Sequence, residues 1–219
     1  MKVTQKTEEY IESIYKLEQK DSIVKPSTLA DDLSISQASV TEMVKKLSDD
    51  GMVTQSHEGG IRLTPKGARS AARVVRRHRL SERLLTDIIG ISFEEAHEEA
   101  CKFEHVISPE VERNLERVLR NPETCPHGNP IPDIHGKTKD VPSDRLSTLK
   151  PKQKGVIEKI TEEGRDFLKY LATLGLMPQM EVEVEQIAPF DGPLLIKVNG
   201  ANYALGREVA SKIWVKKIS

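Results

Sequence analysis

The chain has 219 residues, 37% hydrophobic and 31% charged, enough apolar material to bury a core and, at this length, to form two small domains. Its 33 Lys and Arg are balanced by 34 Asp and Glu, a formal charge of −1, so no overall positive field drives it onto a polyanion and a simple basic coat protein is excluded. Two cysteines, no basic-then-apolar opening segment and no apolar run near the ~18 residues of a membrane span argue against a disulfide scaffold, a secreted precursor and an integral membrane protein. The expectation is a soluble cytoplasmic protein. The near-zero total hides opposed regions: residues 1–90 carry a net +2, residues 91–120 a net −4 and residues 121–219 a net +1. Lys66, Arg69, Arg73, Arg76, Arg77, Arg79 and Arg83 crowd one segment whose only acid is Glu82.

In chain order, Ile11, Ile14, Tyr15 and Leu17 recur at helical spacing, and Leu29, Leu33, Val40, Val44 and Leu47 do so across a break at Ser34–Ser36. Ser36 opens a helix that runs to Asp50 and stops at Gly51. Met52–Ser56, the turn pair Gly59-Gly60 and Ile61–Leu63 predict a short hairpin. Thr64 as N-cap and Pro65 at the first helical position start a helix that can reach Ile89. Ser92 and Glu95 form a capping box for a fifth helix, and Ser108-Pro109 caps a sixth. Six of the 12 prolines fall between 121 and 151, which reads as a linker or irregular connection. Beyond it the period becomes two. Val182 and Val184 alternate with glutamates, and Leu194, Ile196 and Val198 repeat the pattern after the turn Pro189–Pro193, which predicts a small β domain from about 148.

Short helices followed by a hairpin make a winged helix-turn-helix. In that layout the first turns of the second motif helix meet the major groove, so Ser36, Gln37, Ser39 and Thr41 are base-edge or phosphate candidates. Lys45 lies further along the same helix, and Lys25, Ser27 and Thr28 stand at the preceding helix start, where backbone N–H groups also meet phosphates.

The fifth helix carries the metal chemistry. His97, Cys101, Glu104 and His105 fall within one face at about 100° per residue. His97 and His105 are separated by roughly 12 Å of helix rise, too far for one ion with ligand bonds near 2 Å, so two sites are expected. Cys101, Glu104 and His105 can close around one divalent ion; their S, O and N donors suit Fe(II), Mn(II), Co(II), Ni(II) or Zn(II) and are poor for calcium. His97 needs partners from elsewhere, and His78 and Glu82, at i and i+4 on the preceding helix, face one way.

These residues carry a family resemblance. Arg76–Gly90, Glu98–Arg113 and Cys125–Pro132 resemble the metal-dependent transcriptional repressors of the diphtheria-toxin-repressor type, and the resemblance runs through essentially the whole chain. It implies a mainly α fold with β: a winged helix-turn-helix over 1–64, a helical dimerisation and metal-binding domain over 65–140, and an SH3-like small β barrel over 148–219, matched by Leu174–Pro178 and Tyr203–Ala210. It assigns Cys101, Glu104 and His105 to a primary activating site completed from the first helix by Glu9, where iron-sensing members often have Met. His78, Glu82 and His97 resemble an ancillary site, to which Glu163 and Asp166 of the SH3-like domain are added. Cys125 and His127, in a Cys-Pro-His-Gly setting, read as a structured turn and not as ligands. Ala38 and Glu42 depart from the family's Pro and Gln in the recognition helix. The implied function is repression: a homodimer loaded with Fe(II), or alternatively Mn(II), binds palindromic operator DNA and controls metal-uptake genes, with no enzymatic activity and no membrane partner. A metalloenzyme and a thiol redox sensor using Cys101 and Cys125 are the rival classes. No His-Glu-x-x-His or Gly-rich phosphate loop supports the former.

Overall fold

The computed structural model describes residues 4–19, 23–56, 59–139 and 141–218. The chain forms two compact units, one built from the chain up to Arg77 with Glu104–Ile107 and Pro132–Thr138, the other from His78–Phe103, Ser108–Ile131 and the chain from Lys139 onward. The division falls inside the helix that follows Thr64, and Ala71 on its first half packs into the N-terminal core.

In the first unit, α1 (Gln5–Glu18) starts at Thr4, whose hydroxyl accepts the Thr7 N–H. α2 (Pro26–Asp32) and α3 (Gln37–Asp49) follow. The Ser36 hydroxyl accepts the Ser39 N–H at 3.2 Å, which starts α3 where the sequence places it, and Gly51 at φ +67° turns the chain out of it. β1 (Val53–Gln55) and β2 (Ile61–Leu63) pair antiparallel with Thr54 opposite Arg62, and Val24 bridges to Ile61. Tyr10, Ile11, Ile14, Leu29, Val40, Val44, Leu47 and Ile61 fill one core beneath the three helices and the wing. Three polar contacts tie α1 to its neighbours: Ser13 Oγ donates to Asp32 Oδ2 (2.5 Å), Tyr10 O–H to the Ser39 carbonyl (3.4 Å), and the Leu63 N–H to Glu18 Oε1 (2.8 Å).

α4 (Pro65–Arg83) begins as expected, with Thr64 Oγ1 accepting the Gly67 N–H at 3.0 Å. It does not run to Ile89 as an α-helix. Leu84–Ile89 widen into a π-helical turn ending at Gly90, φ +82°, and the Thr86 hydroxyl donates to the Glu82 carbonyl at 3.0 Å, competing for that acceptor.

The second unit holds α5 (Ala96–Phe103), α6 (Pro109–Val118) and an antiparallel six-stranded sheet in the order β3-β8-β4-β5-β6-β7. Its strands are β3 (Asp144–Arg145), β4 (Lys154–Ile160), β5 (Glu181–Ile187), β6 (Leu194–Val198), β7 (Ala201–Leu205) and β8 (Ile213–Ile218), with α7 (Arg165–Leu174) and α8 (Arg207–Ser211) between them. The alternation seen in the sequence is the burial pattern: Val182, Val184, Leu194, Ile196 and Val198 point into a core with Ile157, Ile160, Leu168 and Leu171, in a small SH3-like barrel.

The proline-rich stretch is less of a linker than its composition suggests. Cys125, His127 and Asn129 are buried, and the Cys125 N–H donates to the Asn129 carbonyl at 2.9 Å. Arginines of α4 satisfy its carbonyls: Arg83 Nε donates to Thr124 O at 2.7 Å, and Arg79 to Pro130 O. The basic segment is therefore partly structural, and Arg76 and Arg79 are buried. At φ +85°, Gly128 turns this loop against β4, where an added Cβ would stand 1.9 Å from the Glu158 carbonyl. We expect Gly128→Ala to lower the unfolding free energy by more than the ~1–2 kcal/mol of a left-handed residue alone, measured by urea denaturation.

Candidate metal centre and nucleic-acid face

In the second unit, α4 and α5 present His78, Glu82, His97 and Cys101, and the ordered loop adds Cys125 and His127. Glu82 is the focus. Its Oε1 lies 3.1 Å from His78 Nε2, 3.2 Å from His97 Nδ1 and 3.2 Å from His127 Nδ1, while its buried Oε2 meets no hydrogen-bond partner among the described residues. His78 Nε2 and His97 Nδ1 are themselves 3.0 Å apart. Glu163 Oε2 stands 3.5 Å from His97 Nδ1, with Glu163 Oε1 held by the Asn129 amide at 2.9 Å. Two donor groups result, each with its ligand atoms within 4.8 Å of one another: His78, His97 and Cys101, and Glu82, Cys125, His127 and Glu163.

Charge interactions among these groups are strong. The Phe93 carbonyl, 3.0 Å from His127 Nε2, accepts that N–H, and Nδ1 faces Glu82 and the Cys125 sulfur. Burial disfavours the charged ring, yet the Cys125 and Glu82 hydrogen bonds hold the His127 pKa up at about 11. Burial likewise opposes the charge on His97, but Cys101 and Glu82 raise it to about 9. Burial would raise the Cys101 thiol; contacts from His78 and His97 bring it down to about 6, toward the thiolate that binds metals. Burial would raise the Glu82 carboxyl as well, and the His78 charge and the three imidazole contacts hold it well below the usual range. The imidazoles around Glu82 favour positive charge, and one carboxylate oxygen has no donor among the described residues. The residues fit a soft-to-borderline divalent ion.

In the first unit, Glu104 and His105 follow the end of α5, in a turn rather than on the helix, so the four side chains expected on one stripe do not share it. His105 Nε2 is 3.0 Å from Glu104 Oε1, and its Nδ1 is 2.7 Å from Glu8 Oε2. Glu12, buried on α1, brings a carboxylate oxygen within 4.8 Å of one from Glu104, and Lys16 lies 3.1 Å from Glu12. Glu9 instead accepts from the Gln5 side chain at 3.0 Å. Cys101 stands with His78 and His97 in the second unit, and Asp166 is exposed in the first turn of α7.

Glu8, Glu12, Cys125 and His127 are the site residues that sequence reasoning did not assign. The i, i+4 pair Glu8/Glu12 on an amphipathic helix and the Cys-x-His spacing were the available signals. Of the residues expected to meet DNA, Lys25, Ser27, Thr28, Ser36, Gln37, Thr41 and Lys45 are exposed, and Ser39, whose carbonyl accepts the Tyr10 O–H, is half-buried.

A winged helix joined to histidine–carboxylate–thiol clusters and an SH3-like barrel defines a metal-responsive DNA-binding regulator. Residues 2–61 match the domain described as "Iron dependent repressor, N-terminal DNA binding domain", residues 64–133 "Iron dependent repressor, metal binding and dimerisation domain", and residues 145–217 the FeoA domain. The iron-dependent repressor IdeR of Mycobacterium tuberculosis is 35% identical over 97% of both chains, and the diphtheria toxin repressor of Corynebacterium diphtheriae 33% identical over 97% of both. Among solved structures, a manganese-dependent transcriptional repressor in complex with manganese superposes with a TM-score of 0.90 at 28% identity, covering 96% of this chain and 99% of that one. The crystal structure of T. acidophilum IdeR gives a TM-score of 0.82 at 31% identity, covering 96% of this chain and 97% of that one. The chain belongs to the iron-dependent repressor family, whose members are metal-dependent transcriptional repressors.

Proposed function

We propose that this protein is a cytoplasmic, non-enzymatic repressor that binds palindromic operators as a homodimer when loaded with Fe(II), and so controls metal-uptake genes. The observation that carries the metal reading is the convergence of three imidazoles on one buried Glu82 oxygen while the other has no hydrogen-bond partner among the described residues. One site draws on His78, Glu82, His97, Cys125, His127 and Glu163, with Asp166 a weaker addition from α7. The other uses Glu104 and His105 with the α1 carboxylates Glu12 and, from the family resemblance, Glu9; the resemblance adds Cys101. A bound dication supplies the positive charge that lets these carboxylates and imidazoles stand together. The chain's own residues then fix α1, and through Ser13–Asp32 and Tyr10–Ser39 hold α2 and α3 in one orientation. Mn(II) is the second reading, favoured by the carboxylates Glu12 and Glu104, while the thiols favour Fe(II). Co(II), Ni(II) and Zn(II) suit the same donors in vitro. The working division is 1–64 for DNA, 65–140 for metal and dimerisation and 148–219 for the SH3-like domain. Exposed Ile88, Ile89, Phe103, Val111 and Val118 support the dimer, and no described helix is long and apolar enough to cross a membrane.

On DNA, Ser36, Gln37, Ser39 and Thr41 approach base edges, while Lys25, Ser27, Thr28 and Lys45 bind phosphates. Selection from a random duplex pool tests this: anaerobic Fe(II) should enrich palindromes with half-sites a helical turn, about 34 Å, or a multiple apart. Chelator-treated protein should enrich none. Equal enrichment in both pools would overturn metal control, and enrichment without symmetry would overturn the dimer. Gln37→Ala should lose base discrimination by about 1–3 kcal/mol, whereas Lys45→Ala should weaken all sequences alike.

A further inference from the structure

We propose that the cavity between α1 and α4 is a binding site for a small oxyanion, a phosphate or a carboxylate, held by Arg73, Arg77 and the Ser70 hydroxyl. The inference goes beyond the proposed function and does not depend on which residues hold the metal. The cavity has a volume of about 150 Å³ and is lined by Glu8 and Ile11 of α1 and by Ser70, Arg73 and Arg77 of α4. All five residues belong to the first unit. Ser70, Arg73 and Arg77 stand at i, i+3 and i+7, so one face of α4 brings a hydroxyl and two guanidinium groups to a single space.

Charge and hydrogen bonding select the ligand. Two guanidinium groups stand against one carboxylate, so the lining keeps an excess positive charge that draws an anion. The carboxylate is already committed: Glu8 Oε1 accepts from Arg77 Nη2 at 2.7 Å, and its Oε2 lies 2.7 Å from His105 Nδ1. Glu8 therefore fixes Arg77 at the cavity wall and leaves no oxygen to recruit a cation there. Arg73 is exposed, and among the described residues neither its guanidinium nor Ser70 Oγ makes a hydrogen bond or an ion pair. The planar guanidinium fork matches the paired oxygens of a carboxylate or a phosphate, and the hydroxyl adds a further donor. Buried Ile11 supplies an apolar wall for the short hydrocarbon part of an organic acid. The site also has a route to the DNA-binding part. α1, which carries Glu8 and Ile11, is tied to α2 and α3 through Ser13–Asp32 and Tyr10–Ser39, so an oxyanion that joins α1 to α4 restrains the helix against which α3 rests.

The test uses the full chain, stripped of metal, titrated at constant ionic strength with potassium phosphate and separately with potassium propionate, chloride making up the balance. Calorimetry should show one site for at least one of these anions. Its affinity should fall about tenfold or more in Arg73→Gln and fall also in Ser70→Ala, with Arg73→Lys between the parent and Arg73→Gln. Arg69→Gln, outside the cavity, should keep the parent's affinity. Preference for phosphate names a tetrahedral oxyanion, and preference for propionate a carboxylate whose chain meets Ile11. Hydrogen exchange gives the second readout: saturating anion should slow the α1 amides in the parent and not in Arg73→Gln. Binding of neither anion would overturn the proposal. So would equal binding by the parent and Arg73→Gln, or loss of binding in Lys45→Ala with Arg73→Gln unaffected, which would place the anion on the residues expected to meet DNA. Should Arg73→Gln fail to fold, Ser70→Ala and Arg73→Lys carry the same comparison.

Discussion

A Glu82→Gln protein should fold, yet bind metal at the buried cluster at least about 100-fold more weakly than its parent. Removing even an outer-shell partner of a metal ligand costs 10–100-fold, and Glu82 is the group on which His78, His97 and His127 converge. The amide keeps the shape and one acceptor oxygen but loses the charge that a dication would meet. A ligand at a hundred times its Kd stabilises the folded state by about 2.7 kcal/mol, so nearly all of the metal-induced rise in Tm should vanish in the variant at the same free metal. Calorimetry with and without Mn(II) measures this directly. A Tm increment equal to that of the parent would remove Glu82 from the site.

The second large effect belongs to the other cluster. His105→Ala and Glu12→Ala proteins should keep their circular dichroism and still lose the metal-dependent gain in operator affinity, by about 100-fold or more, because each deletes a donor and leaves buried partners without it. Glu12 and Glu104 are both buried, which disfavours two neighbouring negative charges and makes a cation between them favourable. Glu9→Ala tests the position supplied by family resemblance: it should lose activation like His105→Ala. Gel shifts over a range of free Mn(II) measure this, since loss moves the activation midpoint to higher metal. Unchanged midpoints in both Glu9→Ala and His105→Ala would sink this cluster as the switch.

The parts of this molecule written in local chemistry were legible from residues alone. Ser36 and Thr64 cap the helices they were expected to cap, Gly51 ends α3, and the alternation around Val182 and Ile196 places a barrel core. His78 and Glu82 could be paired because a helix repeats its face every three to four residues. What the sequence reading left unassigned lies where no period operates. Cys125 and His127 sit in an irregular loop whose burial depends on Arg79, Arg83 and Asn129 reaching carbonyls far away in sequence, so composition alone read it as a connection. The helical stripe placed Glu104 and His105 on α5, but that helix ends at Phe103, and element ends are the least certain part of a periodic reading. On α1, Glu8, Glu9 and Glu12 are three carboxylates within five positions, and only tertiary contacts distinguish which of them faces His105.

The near-zero net charge has a physical meaning in this account. Acidic donors concentrated around His97 and His105 balance arginines that are largely committed to loop carbonyls and to Glu8, so additional positive charge has to come from a bound cation. The most direct test is operator affinity measured anaerobically against buffered free Fe(II) and Mn(II), with a chelator and a mild oxidant as separate arms. The account predicts a rise of about 100-fold or more as either metal saturates, within the 1–3 kcal/mol range of ordinary couplings or somewhat above it, and no rise with oxidant alone. Affinity equally high in chelator, or governed by oxidant without metal, would contradict it.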